Sequence, residues 1–301
     1  FGRKGLMGIQ PPTSLLNAVL CLLAGAAQAA PLVGAGDRVV PEGRNGHAVR
    51  PAQVLVVATL NLAHGRGLAV DQFSLSRDQY EANVNAAAAL VKREAPDVLA
   101  LQEADGPSAW SGYFDHVARL ARIASFPHVY HALHMDAALF GVHIRTGAAL
   151  LATRPLLRPA SHPFLVQRQM KGFVTAECEF DRRRVLLASI HLTSTSRSVR
   201  HQQVEQIVNT LQAERKPAIL MGDFNSTWHD EEDAVRRIAA RLKLQAFDPD
   251  SRQLATFRAD APSSRIDWIL VSPKLEFLDY QVWLDQVSDH LCVVATLRWR
   301  R

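Results

Sequence analysis

Residues 217–225 read Pro-Ala-Ile-Leu-Met-Gly-Asp-Phe-Asn, an apolar run that ends in two polar side chains. A short apolar run of this kind predicts a buried β-strand. The side chains at its carboxyl end, Asp223 and Asn225, then lie at one edge of a sheet, where clefts form. If this edge carries a functional site, neighbouring strands should also end in polar residues.

Polar side chains do stand at the ends of the other apolar runs. The full set is Asn61, Glu103, His191, Asp223, Asn225, Asp289 and His290. Taken singly, each can be a turn residue, a helix cap or a hydrogen-bonded core side chain. Asp267 lies within the apolar run 265–271, and a carboxylate that enters a core requires a cation, a metal or an imidazole as its partner. The imidazole of His290 is available for that role.

Strand-like and helix-like patterns alternate along the chain. The apolar runs predict strands at 54–62, 98–102, 128–134, 147–153, 172–180, 184–192, 217–225, 265–271, 277–284 and 291–299. Helices are predicted from Ser76 to Pro96 and at 113–124, 198–214 and 230–242. This pattern indicates two packed, mostly antiparallel sheets with helices outside, a four-layer α/β/β/α sandwich. No linker interrupts residues 53–301, so we expect a single domain there.

The first residues have the pattern of a secretory signal peptide. Arg3 and Lys4 precede the apolar run 15–27, which ends in a small-x-small cleavage site. We expect residues 1–29 to be a signal peptide, residues 30–52 a flexible leader, and the mature protein to be periplasmic or secreted. The alternative is an uncleaved membrane anchor, although the run is shorter than the about 20 residues that a spanning helix needs.

The composition is that of an ordinary globular protein, with 301 residues, 48% hydrophobic and 21% charged, and a net charge of +5. Arg residues are scattered, so the charge neither requires nor excludes a nucleic-acid partner. Cys178 and Cys292 can pair in an oxidising compartment or remain two small buried side chains. The sequence indicates no obligate protein partner, and we expect a monomer.

The polar set can carry out the cleavage of a phosphate ester. Such a reaction needs oxygen ligands for a hard cation, a group that orients or deprotonates water, and donors for the phosphoryl oxygens. Glu103 and Asp289 can supply the ligands, and Asp223 can act on the water. Asn225 and His191 can donate hydrogen bonds to the phosphate. Asp267 can pair with His290 and hold its imidazole in one tautomer. Because zinc-type Cys/His spacing is missing from the sequence, the cofactor predicted is Mg²⁺ or Mn²⁺.

These residues occur in motifs that resemble the endonuclease/exonuclease/phosphatase superfamily. In order, the motifs are Thr59-Leu60-Asn61, Leu101-Gln102-Glu103, Gly147-Ala148-Ala149-Leu150-Leu151, His191-Leu192, Gly222-Asp223-Phe224-Asn225, Arg265-Ile266-Asp267 and Ser288-Asp289-His290. The resemblance runs from about residue 54 to residue 297.

The resemblance implies a role for each residue. It places Asn61, Glu103 and Asp289 at the metal, Asp223 and Asn225 at the water and phosphate, and His191 facing the phosphate. It also pairs His290 with Asp267, and leaves either Asp223 or His290 as the base for in-line attack by water without a covalent intermediate.

The substrate is less well defined by the sequence. Gly147-Ala148-Ala149 replaces a common Gly-Asn-Ala, and Ile266-Asp267-Trp268 differs from the Trp-Cys-Asp-Arg signature of inositol 5-phosphatases, which disfavours that branch. The aromatic-rich segment 104–146 can form a wall that recognises a lipid or sugar phosphate, or can serve helix packing alone. Arg197 and Arg200 can contact an anionic substrate, or belong to a solvated helix start.

The leading hypothesis is an exported phosphodiesterase that acts on a nucleic acid or a phospholipid or sphingolipid headgroup. A phosphomonoesterase on the same scaffold is the alternative within this class. A catalytically silent binding protein with the same fold is the alternative outside it.

Overall fold

The computed structural model describes residues 53–139, 141–166, 171–229 and 232–301. The signal peptide and leader predicted for residues 1–52 lie outside the described residues. Within the described part of the chain, no helix combines the length and the apolar character that crossing a membrane requires.

Twelve strands and four α-helices make up the described residues. The strands are β1 Val54–Asn61, β2 Val98–Asp105, β3 His128–Leu139, β4 Val142–Ala152, β5 Leu157–Pro163, β6 Gly172–Phe180, β7 Arg183–His191, β8 Ala218–Asp223, β9 Gln245–Ala246, β10 Asp267–Val271, β11 Leu275–Trp283 and β12 Cys292–Trp299. The helices are α1 Arg77–Glu94, α2 His116–Ala124, α3 Arg197–Glu214 and α4 Ala234–Leu242. Ser76 caps α1 as predicted, because its hydroxyl accepts a hydrogen bond from the backbone N–H of Gln79.

The strands form two six-stranded sheets. Their orders are β11-β12-β1-β2-β4-β3 and β5-β6-β7-β8-β10-β9. Only β1 with β2 and β7 with β8 are parallel among the pairs in the described residues, and the other pairs are antiparallel. The carboxyl ends of β1, β2, β7 and β8 therefore lie at one edge of the two sheets.

Apolar side chains divide the molecule into four layers. The sheets pack face to face through buried residues from both, among them Leu55, Leu150, Leu187 and Ile269. Helices α1 and α2 cover the outer face of the first sheet, and α3 and α4 cover the outer face of the second. The predicted α/β/β/α sandwich with mostly antiparallel sheets is confirmed.

Several elements differ from the sequence prediction. Strand β5 was not predicted, because its sequence is polar and contains two prolines, which only an edge strand tolerates. Strands β3 and β4 form a longer hairpin than predicted. Helix α2 begins at His116 instead of residue 113, because Gly112 and Tyr113 have φ of 85° and 58° and Asp115 provides the cap.

The cysteines Cys178 and Cys292 are both free and buried. Burial raises the pKa of both thiols, so neither is activated as a thiolate. The sequence left open either a disulfide between these cysteines or two small buried side chains. The structure shows the second.

Gly222 allows the parallel strands β7 and β8 to approach closely. Its φ is 145°, and a Cβ at this position would lie 2.0 Å from the carbonyl oxygen of Ile190. We expect Gly222→Ala to lower the free energy of unfolding by about 3 kcal/mol or more, because backbone must move to accommodate the methyl group. Urea unfolding followed by circular dichroism measures the change.

Gly141→Ala is the matched control. Gly141 has φ 79°, and within the described residues no atom outside its chain neighbours lies within 4 Å of a Cβ placed there. This substitution should cost only the left-handed backbone penalty of about 1 kcal/mol. Equal losses in the two variants would contradict the steric explanation for Gly222.

Candidate active site

Glu103 is directed into the cleft by a β-bulge. The pairing of β2 with β4 changes register between Leu101 and Ala104, and Glu103 has φ 46°. Bulges redirect side chains at sheet edges, and left-handed backbone in a non-glycine residue occurs where the surroundings enforce it. Because of the bulge, the Glu103 side chain does not follow the regular alternation of side chains along β2. Its side chain is 19% exposed.

Asp223 is fixed by two amides, one of which comes from the other sheet. The side-chain amide of Asn61 donates to Oδ2 of Asp223 at 3.1 Å. Asn225 donates to the same oxygen at 3.1 Å, and its backbone N–H donates to Oδ1 at 2.8 Å. Asn225 holds this position with φ 46°. The Asp223 carboxylate is buried and held in one orientation.

Asp267 and His290 form a hydrogen-bonded pair beside Asp223. Nδ1 of His290 lies 2.9 Å from Oδ2 of Asp267, which also accepts a hydrogen bond of 2.6 Å from the Thr256 hydroxyl. The pair fixes the orientation of the imidazole, so Nε2 faces Oδ2 of Asp223 at 3.9 Å. The structure thus brings three of the predicted residues to one point.

The charges of this cluster shift the pKa values of its members in a consistent way. Burial alone would lower the pKa of His290, but Asp267, Asp223 and Asp289 raise it to about 10. Burial and the nearby charge of Asp267 raise the pKa of Asp223 to about 6, against the opposing effect of His290. At neutral pH, His290 is therefore a cation and Asp223 an anion.

Three further residues surround Glu103 that the sequence interpretation missed. His64 places Nε2 3.2 Å from Glu103 and Nδ1 2.9 Å from the buried Asp105. Arg66 contacts Asp289 at 2.5 Å and Glu103 at 3.7 Å. Burial would raise the pKa of Glu103, but His64, His191, Lys171 and Arg66 hold it well below its usual range. His64 and Arg66 follow Asn61 within five positions. This short distance in sequence from a predicted site residue could have identified them as further site residues.

Lys171 is a fourth residue that sequence reasoning missed. Its Nζ lies 2.5 Å from Nε2 of His191 and donates to the carbonyl oxygen of Leu192 at 3.1 Å. Burial and the Lys171 charge keep the pKa of His191 well below its usual value, so the imidazole is neutral and accepts from the ammonium. His191 also lies 3.6 Å from both Glu103 and Asp223. Lys171 directly precedes β6, and nothing in the local sequence marks it.

The predicted substrate residues Arg197 and Arg200 lie in the first turn of α3, and Arg200 is close enough to Asp223 and Lys171 for their charges to interact. Arg200 donates to the carbonyl oxygens of Thr193 and Ser194 at 3.0 and 3.2 Å. Arg197 is exposed. The guanidinium of Arg200 therefore stabilises the loop that follows His191. The side chain of Arg197 lies at the surface.

Two groups of residues in the cleft can hold a divalent cation. Glu103 and Asp289 converge on the guanidinium of Arg66, and Oδ1 of Asp289 is buried without a hydrogen-bond partner among the described residues. The second group is Asp223, Asp267 and His290, which offer one ligand atom each within 4.8 Å of one another. Both groups are rich in carboxylate oxygen, and this chemistry fits a hard cation.

The chain has sequence similarity to a known family. The sequence profile of the Endonuclease/Exonuclease/phosphatase family matches residues 58–290. No curated protein matches the chain in sequence.

Several solved structures have the same fold. The endonuclease/exonuclease/phosphatase from Beutenbergia cavernae DSM 12333 is 20% identical with a TM-score of 0.60, over 82% of this chain and 72% of that one. The endonuclease/exonuclease/phosphatase from Bacteroides vulgatus is 14% identical with a TM-score of 0.64, over 82% and 99%. TDP2 from C. elegans is 19% identical with a TM-score of 0.61, over 81% and 75%. At these identities, the similarity concerns the fold alone.

The electrostatic coupling in the cluster can be tested with Asp267→Asn. Because Asp267 is the strongest influence that raises the pKa of His290, its neutralisation should move the midpoint of the imidazole titration down from about 10. The chemical shift of the His290 ring protons, followed by NMR between pH 5 and pH 11, measures the midpoint. Asp279→Asn, a substitution of an exposed carboxylate on β11, should leave it unchanged, and an unchanged midpoint in Asp267→Asn would contradict the pairing.

Proposed function

Because the chain belongs to the endonuclease/exonuclease/phosphatase family, we propose that it is a metal-dependent phosphodiesterase acting on a nucleic acid or a phospholipid headgroup. Members of this family are in general phosphoester hydrolases, and the chain has their hydrolase fold.

One observation carries the proposal: acidic, amide and imidazole side chains from both sheets converge at a single edge. Asn61 of the first sheet bonds to Asp223 of the second at 3.1 Å, and Asp267 of the second lies 2.9 Å from His290, which precedes β12 of the first. A structural role alone does not require so many charged side chains at one place, since each costs free energy to bury.

We assign Glu103, Asp289 and Asn61 to the cofactor, which we propose to be Mg²⁺ or Mn²⁺. Such an ion supplies positive charge against the phosphoryl oxygens of the ester. Arg66 lies between Glu103 and Asp289, at the point on which their carboxylates converge. Its charge compensates the two carboxylates, which would otherwise repel each other.

Asp223 is the better candidate for the general base. A base must be unprotonated at the working pH, and the pKa of Asp223 of about 6 satisfies this, whereas His290 with a pKa of about 10 carries its proton. Asp223 accepts a proton from the attacking water while Asn61 and Asn225 hold its carboxylate in position. His290 then stabilises negative charge on the phosphoryl group by donating from Nε2.

The balance of charge favours a diester over a monoester. Five carboxylates line the region, at Glu103, Asp105, Asp223, Asp267 and Asp289, and they face Arg66, Lys171 and the imidazoles of His64 and His290. Even with both imidazoles protonated, these cations do not neutralise the carboxylates. With both imidazoles protonated, one divalent cation would leave a single excess positive charge, which matches the single negative charge of a diester better than the doubly charged monoester.

Export remains part of the proposal. It is supported by the signal-like pattern of residues 1–29, with Arg3 and Lys4 ahead of an apolar run. Fractionation of cells that express the full chain, followed by mass determination of the mature N-terminus, tests it. A protein that retains residues 1–29 in the cytoplasmic fraction would contradict export without affecting the assignment of the site.

The central experiment is the hydrolysis of bis-p-nitrophenyl phosphate and p-nitrophenyl phosphate with Mg²⁺, Mn²⁺ or EDTA. We expect turnover that needs metal, prefers the diester, and falls by about 10²- to 10⁴-fold in kcat for Asp223→Asn. Because Asp223 must be deprotonated to act as the base, kcat/KM should increase as the pH is raised through about 6. It should be low at more acidic pH. Asp279→Asn, at an exposed carboxylate, serves as the control.

The alternatives give different results in the same assay. Faster turnover of the monoester would identify a phosphomonoesterase. Absence of metal-dependent turnover of both esters, and of DNA and sphingomyelin tested next, would contradict the proposal in favour of a binding protein without activity.

Lys171 is expected to contact the phosphoryl group, because its ammonium lies beside His191 within the cluster. Lys171→Ala should lower kcat/KM for bis-p-nitrophenyl phosphate by about 10²-fold, the typical loss for one donor to a charged transition state. Lys171→Arg keeps the charge and should lose less. Lys274→Ala, at an exposed position before β11, is the control, and equal activity in all three variants would contradict the assignment.

A further inference from the structure

A pocket lies beside the cleft, between the loop that follows Asn61 and the loop that follows β2. Its volume is about 260 Å³, and its wall includes several aromatic side chains. The principal lining residues are Gln72, Phe73, Arg77, Tyr80, Trp110 and Tyr113. Pockets that hold a whole small ligand measure about 300–1,000 Å³, so this volume suits one part of a larger ligand.

The two loops are held in place by specific hydrogen bonds. The side-chain amide of Gln72 donates to the carbonyl oxygen of Trp110 at 2.9 Å, and the hydroxyl of Tyr80 donates to the carbonyl oxygen of Gln72. Asp71 accepts from the backbone N–H of Phe73 at 2.9 Å, which forms a turn that presents this ring. The pocket is therefore a built feature of the fold.

The exposed rings are positioned at a structural cost. Phe73 is 50% exposed and Tyr113 is 52% exposed, although both are large aromatic side chains. Tyr113 has φ 58°, a conformation that is unfavourable for a bulky residue. Its backbone N–H donates to the carbonyl oxygen of Ser108 at 2.9 Å, so the main chain that carries the ring is held in this conformation. Strain of this kind concentrates at ligand-binding positions.

Only one residue separates the pocket from Glu103. The Trp110 ring packs against the ring of His64 with centroids 4.9 Å apart, and Nε2 of His64 lies 3.2 Å from Glu103. The indole N–H of Trp110 also donates to Asp105 at 2.7 Å, and Asp105 holds His64. A group attached to a phosphoryl at the cleft can reach the pocket, because both lie at the carboxyl ends of β1 and β2.

The chemistry of the wall distinguishes between ligands. Aromatic faces bind flat rings by stacking, and they bind quaternary ammonium groups by cation–π attraction. Arg77 lines the pocket, where its guanidinium is paired with Glu81 at 2.9 Å, and none of the described lining residues carries a carboxylate that would attract a cation. The pocket is concave, and a concave wall can enclose a flat ring. A membrane surface is bound instead by apolar side chains that protrude from the protein. The lining therefore favours a flat, uncharged ring.

We propose that this pocket binds the base of a nucleoside phosphate ester while its phosphoryl group lies at Glu103 and Asp223. The proposal rests on the proposed phosphodiesterase function and names the substrate class of the same site. Phe73 and Tyr113 stack on the two sides of the base, and Trp110 closes the pocket on the side of the cleft.

Three p-nitrophenyl diesters with the same leaving group test this proposal: thymidine 5′-(p-nitrophenyl phosphate), methyl p-nitrophenyl phosphate and p-nitrophenylphosphorylcholine. Because stacking on one aromatic residue is worth about 1–3 kcal/mol per base, Phe73→Ala and Tyr113→Ala should each raise KM for the thymidine ester by about 5- to 150-fold. KM for the other two esters should stay within about twofold. Tyr113→Phe keeps the ring and should retain the wild-type KM.

Leu278→Ala is the matched control, because Leu278 is 44% exposed on β11 and lies outside the pocket. Thermal unfolding of each variant checks that it is folded. Equal losses on all three esters, or a loss confined to the choline ester, would overturn the proposal. A single-stranded oligothymidylate compared with the thymidine ester shows whether the base belongs to a polymer or to a single nucleotide.

Binding separates this proposal from the proposed activity. Calorimetric titration with thymidine 5′-monophosphate and Mg²⁺ should give a weaker affinity for Phe73→Ala and Tyr113→Ala than for wild type, by a factor similar to the change in KM. If wild type hydrolyses none of the esters but shows this difference, the pocket assignment holds and the proposed activity fails. If the esters are hydrolysed and nucleotide affinity is equal in all variants, the pocket assignment fails alone.

Discussion

The hydrogen bond between Asp267 and His290 joins the two sheets where the cleft opens, because Asp267 begins β10 and His290 lies two residues before β12. The sheets meet elsewhere mainly through apolar contact, which is not directional and does not fix the position of one sheet along the other. A short bond between charged groups does fix it. Asn61 and Asp223 make a second such link nearby, so the geometry of the cleft depends on these polar bonds between the sheets.

Much of the fold could be predicted because apolar runs and polar strand ends are local properties of the sequence. Strands β1, β6, β7 and β12 lie within one or two residues of the predicted ranges, and the parallel pairs bring their ends together. The bulge at Glu103 could not be predicted, since it arises from the pairing of β2 with β4. Lys171 could not be predicted either, because it reaches His191 only after β6 and β7 have paired.

The cleft combines groups that would be unstable if buried singly. Glu103, Asp105 and Asp289 each have a cationic or imidazole neighbour, and each has at least one, His64 or Arg66, from the segment that follows β1. Breaking one member of such a network leaves an uncompensated charge, so the members depend on one another. The arrangement therefore links the short segment after Asn61 to the integrity of the whole site, although this segment contributes few core side chains.

The cleft and the aromatic pocket are built from different side chains, so they can evolve separately. The charged groups of the cleft sit at strand ends, whereas Phe73 and Tyr113 stand on loops that carry little of the core. Loops accept substitution and insertion more readily than strands do. Ligand preference can therefore diverge by substitution at Phe73 and Tyr113 while His64 and Arg66, which lie on the first of these loops, are kept with the rest of the cleft, which makes the molecule modular at the level of single side chains.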